Sequence, residues 1–74
     1  MKGMTSPPVA GEVYLHHKGA AYTIVCLAKD QEEQQLYVIH QGQDGQVWSR
    51  TIGNFMAYTE AGAPRFTLLQ TGFE

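Results

Sequence analysis

Apolar and polar positions alternate along much of this chain, which is the period of a half-buried β-strand. Val13, Leu15 and His17 alternate with Glu12, Tyr14 and His16 in a first predicted strand. Lys18-Gly19 follows as a turn. Ala21 to Leu27 is the most apolar run, β-branched and aromatic, with apolar residues on both alternating faces. Such a run fits a strand curled inside a small barrel or a buried central strand. Lys29 to Gln35 is a polar break carrying Asp30, Glu32 and Glu33, read as a solvated hairpin loop. A third strand is predicted over Leu36-Tyr37-Val38-Ile39-His40. Gln41 to Gly45 contains Asp-Gly, a strong hairpin signal. A fourth strand runs from Val47 to Ile52. Gly53 to Ala57 is predicted as one helical turn with Asn54 as a weak cap near its start. Thr59 to Pro64 is a loop, and Arg65 to Leu69 is the last strand.

Five short strands with Gly-rich turns predict an all-β meander. The short turn before the final strand points to an SH3-like barrel of antiparallel strands. An open sheet that completes itself by dimerising is the alternative. Thr5-Ser6-Pro7-Pro8 cannot continue a helix, so residues 1–8 are expected to form an arm and residues 9–74 a single domain.

The 74 residues leave no room for two domains. Charged residues make up 16%, below the roughly 25% of an average soluble domain. With 43% hydrophobic residues the chain is too apolar to be disordered, yet no apolar run approaches the roughly 20 residues that cross a bilayer. Cys26 is the single cysteine, so no intrachain disulfide can staple the fold. The first eight residues lack the apolar core of a signal peptide. A free thiol and no export signal together predict a cytoplasmic protein. A domain this small is marginally stable on its own, which makes a homodimer an attractive arrangement.

Gly11-x-x-Tyr14-x-His16-x-Lys18-Gly19-x-x-Tyr22, then Ala28-Lys29, Trp48-x-Arg50, Phe55 and Pro64-Arg65-Phe66, form a set. This set resembles a family of small bacterial proteins, the domain-of-unknown-function family 1653, over roughly residues 11–69. The resemblance implies a fold but brings no activity with it. Three positions depart from the family pattern: Thr51 stands where Pro is usual, Asn54 where Met is usual, and Ala57 where an acid is common. The loop between the second and third strands is also shorter. If the missing acid normally pairs with a motif cation, that pair is absent here or rebuilt.

Few residues read as catalytic. His16 and His17 are adjacent, so on a strand they point to opposite faces and cannot both hold one metal. Neither they, His40 nor Cys26 has a metal-ligand spacing, and no metal or cofactor is expected. Cys26, flanked by Ile24-Val25 and Leu27, is expected to be an inert core residue. No nucleophile elbow or phosphate loop is present, so an enzyme is not expected.

The candidate binding set is Tyr14, His16, Lys18, Tyr22, Trp48, Arg50 and Arg65. Aromatic rings beside cations suit a small anionic or planar ligand, or a peptide segment of a protein partner. The bland alternative puts Tyr22 and Trp48 in the core and pairs Arg50 with a loop acid. Nucleic acid is a less favoured partner, because five Lys plus Arg in a chain of net charge −2 make a poor basic footprint. A structural, self-associating protein is a third reading.

Overall fold

The computed structural model describes residues 7–71. Five strands are present: β1 (Val13–His16), β2 (Ala21–Lys29), β3 (Leu36–Gly42), β4 (Val47–Thr51) and β5 (Phe66–Gln70). One short helix, α1 (Ile52–Phe55), follows β4 directly. The strands form one antiparallel sheet in the order β4-β3-β2-β1-β5. The sheet is open among the described residues, with β4 and β5 as its edges. The all-β reading therefore holds as five antiparallel strands and a helical turn before the last, without a closing ladder. Of the expected arm, residues 1–6 lie outside the described residues, and Pro8 is fully buried.

The turns follow their chemistry. Gly19, at φ 106°, lets the chain reverse between β1 and β2, where its N–H donates to the His16 carbonyl at 2.7 Å. Gly45, at φ 89°, does the same between β3 and β4. A side chain is strained at either angle, so these two glycines are required. Asp30 organises the acidic loop by accepting from the N–H groups of Glu32 and Glu33.

The core is small. Ile24, Val38, Phe55 and Phe66 are buried, with Tyr14, Tyr22, Leu27, Ile52 and Met56 packed around them. The Phe55 and Phe66 rings stack at 4.0 Å between centroids, 8° from parallel. That contact clamps α1 onto β5, and each buried side chain of this size contributes about 1.5–3 kcal/mol. The expected cap on Asn54 is corrected: Thr51 is the N-cap, its hydroxyl accepting from the Asn54 N–H at 3.1 Å. Asn54 is the third helical residue instead, because Ile52 already adopts helical backbone.

Cys26 is a second correction. It is exposed, not buried. The β2–β3 register shifts between Ile24 and Cys26, and one residue is passed over. An added residue of this kind breaks the two-residue alternation. Tyr22 and Ile24 face the core before the shift and Leu27 after it, while Val25 and Cys26 are left outside. Only one residue of that most apolar run, Ile24, is fully buried. The outer face of the sheet exposes Val25, Val47 and Leu69.

Candidate functional site

The inner face of the sheet carries the chemistry. Cross-strand partners point to the same side, so register alone places His40 beside Trp48, His16 beside Phe66 and Tyr22 beside Tyr14. A hollow of about 460 Å³ opens between the two edge strands. It is lined by Tyr22 of β2, His40 of β3, Trp48, Ser49 and Arg50 of β4, and Phe66 of β5. Tyr22 and Trp48 also line a second hollow of about 240 Å³ with Gly42, Gln43 and Asp44 at the β3–β4 hairpin.

Aromatic edges build the floor. His40 meets Tyr22 at 5.2 Å, Phe55 at 5.6 Å and Phe66 at 5.9 Å, each edge to face. His16 meets Phe66 at 4.8 Å and Tyr22 at 6.4 Å. Trp48 differs from these rings. It is 52% exposed and has no ring partner among the described residues. The reading that put it in the core is thereby corrected: β4 is an edge strand, and about half of Trp48 stays uncovered.

The two inward histidines hold opposite tautomers. His40 is 2% exposed, and its Nδ1 lies 3.0 Å from the Val38 carbonyl oxygen, so that nitrogen carries a proton. The Nε2 of neutral His40 is then an acceptor. In His16 the Nδ1 accepts from the Lys18 N–H at 3.2 Å, so neutral His16 carries its proton on Nε2 and donates there. His17 is exposed, which resolves the pair.

The site is electropositive. His16 is held below the ordinary histidine value, first by burial and then by the charges of His17, Arg50, Lys18 and Arg65. His40 is also lowered, first by burial, with its bond to Val38 opposing and Arg50 adding a smaller push. No acid stands among the charges that shift either ring. Arg50 sits with its guanidinium carbon 5.3 Å from the Phe66 centroid, and its Nη1 donates to the neutral Asn54 Oδ1. Among the described residues no loop acid pairs with Arg50, contrary to the bland expectation for this residue. Arg65 carries a buried Nε with no partner among the described residues. Its backbone is tied down on both sides, donating to Ala57 and accepting from His17.

Of the seven candidates, Tyr22, Trp48 and Arg50 line the main hollow. His16 of β1 meets Phe66 and Tyr22 of its lining, whereas Lys18 lies in the exposed β1–β2 turn and Arg65 just before β5, both acting on His16 through their charges. Tyr14 goes elsewhere. Its ring meets Phe55 edge on at 5.2 Å, and its hydroxyl donates to Glu12. Burial, then the Glu12 charge and the bond to Glu12, push the Tyr14 pKa up to about 12. It lines a different, apolar hollow of about 420 Å³ with Pro7, Pro8, Met56, Tyr58 and Pro64. His40 and Phe66 were not among the binding candidates. The signal for His40 was its alternation with Val38, which puts both on one strand face.

Among the described residues no group of three His, Cys, Asp or Glu converges as a metal would need. No helix among them is long and apolar enough to cross a membrane. No curated protein and no solved structure matches the chain. The model of one family, described as a protein of unknown function, DUF1653, matches residues 12–68. That span takes in β1 to β4, α1, the first three residues of β5 and the residues that line the hollow between β4 and β5, and the chain belongs to this family.

Proposed function

We propose that this protein is a small binding module that takes a planar, anionic ligand into the hollow between β4 and β5. The observation that carries this reading is Arg50 beside the Phe66 ring in a hollow lined by Tyr22, His40 and Trp48, with His16 against Phe66 and Tyr22 and no acid among the charges that shift His16. The chain has net charge −2, so the local balance is opposite to the overall one. An arginine fork grips a carboxylate or phosphate through two parallel bonds, and the neutral His16 Nε2–H adds a donor. Trp48 offers an uncovered ring face for a planar group.

The SH3-like barrel belongs to the same proposal. The strand order, the register shift that bends β2 and the helical turn between β4 and β5 support it. In such a fold the β4–β5 seam is a natural cleft. Arg50 and Phe66 face each other across it.

Trp48 is the single tryptophan, so its fluorescence reports on the site directly. Titration with inorganic phosphate, benzoate and nucleoside monophosphates should give a saturable change. It should weaken with salt and be matched by a rise in melting temperature. A folded protein that responds to none of these anions would overturn the proposal.

A further inference from the structure

The two hollows that meet at Tyr22 and Trp48 have opposite polarity, and this deepens the reading above. The larger one is lined by Arg50, and His16 stands against its Tyr22 and Phe66. The smaller one ends on Asp44, whose Oδ1 accepts from the Gln46 N–H at 3.0 Å. Its Oδ2 has no partner among the described residues. Gly42 keeps the passage open: a Cβ there would come within 3.1 Å of Asp44 Oδ1 and 3.2 Å of Tyr22 Cε1. A ligand spanning both hollows therefore needs an anion at one end, a ring in the middle and N–H donors at the far end.

We infer that the ligand is a nucleoside 5′-monophosphate with a donor-rich base, guanine above all. Its phosphate goes to Arg50, its base stacks on Trp48, and its base edge donates to Asp44. From Gln46, whose N–H binds Asp44, to Arg50 four extended residues of backbone span about 13 Å, comparable to the reach of an extended nucleotide. A carboxylate accepts from two neighbouring N–H groups in one plane, and guanine presents such a pair. Uracil presents a single N–H between two carbonyls that repel the carboxylate. Free nucleotide and the phosphorylated end of an RNA share this chemistry.

The test uses the full chain, Trp48 fluorescence and four probes: GMP, UMP, ribose 5-phosphate and a short RNA with a 5′-phosphorylated guanosine. GMP should bind about tenfold or more tightly than UMP or ribose 5-phosphate. Asp44→Asn should erase that preference. The asparagine oxygen can still accept from Gln46, so the hairpin survives, which circular dichroism checks. The order of GMP and the RNA names the source, and tight binding of either supports the inference. Equal binding of ribose 5-phosphate and GMP would overturn it while leaving an anion site in place. Failure of every probe would remove both readings.

Discussion

Arg50 donates a hydrogen bond to Asn54, four residues further along the chain, across the junction of β4 and α1. The partner is neutral, so the arginine is oriented without losing its charge. Thr51 caps the same helix by accepting from the Asn54 N–H. Thr51 and Asn54 are thus joined with Arg50 in one local arrangement. Ala57, two residues after Phe55, supplies no acid, and the side-chain partner of Arg50 is the Asn54 amide oxygen.

Arg50→Ala should abolish detectable anion binding while the protein stays folded. The cation–π contact with Phe66 is worth about 0.5–1 kcal/mol at an accessible site. The melting temperature should therefore drop by no more than about 8 °C in a domain of this size. A much larger drop in a thermal melt would mark Arg50 as structural and sink the site assignment.

Phe66→Ala should leave little folded protein. Truncating a buried phenylalanine costs about 3–5 kcal/mol, close to the whole stability of a small domain. The stacked partner Phe55 also loses its contact, so α1 comes off the sheet with it. Far- and near-ultraviolet circular dichroism check this, and a cooperative melt close to that of the parent would contradict it.

Acid should destabilise the protein. His40 and His16 are both held below 6.5 in the fold. As pH falls, the unfolded chain takes up these protons first. The contribution of both rings is complete above about pH 6.5 and is lost as pH falls through their folded values. Urea midpoints measured from pH 7.5 down to 5 should decline, and His40→Phe should flatten part of that decline. A parent midpoint constant across this range would refute the assignment.

Cys26→Ser should change stability by less than about 0.5 kcal/mol, since the side chain is exposed. In the native protein the thiol should react at once with a disulfide reagent. Slow reaction limited by unfolding would show that the register shift in β2 is not where it has been described.

Losing the Thr51 cap should cost about 1 kcal/mol, and Thr51→Ala tests this. Because Arg50 is positioned through Asn54 in the same turn, anion affinity should fall as well. Thr51→Ser, which keeps the hydroxyl, should restore both stability and affinity.

Local chemistry made most of the strands legible in the sequence. Asp44-Gly45 and Lys18-Gly19 dictate reversals, and the alternation through β1, β3 and β4 assigns faces without any knowledge of neighbours. The motif residues Tyr22, Trp48 and Arg50 were readable for the same reason, since two-residue spacing places Trp48 and Arg50 on one side. Tertiary structure decided the rest. The shift between Ile24 and Cys26 depends on pairing with β3, and it turned an apparently buried run outward. Tyr14 sits on the expected face, yet it lies beyond Phe55 in another hollow because α1 packs between. The buried His40, the exposed Trp48 and the meeting of Arg50 with Phe66 depend on which strands form the edges. Periodicity describes one strand at a time. Only the order of strands in space determines which side chains are covered and which charges are left at the hollow.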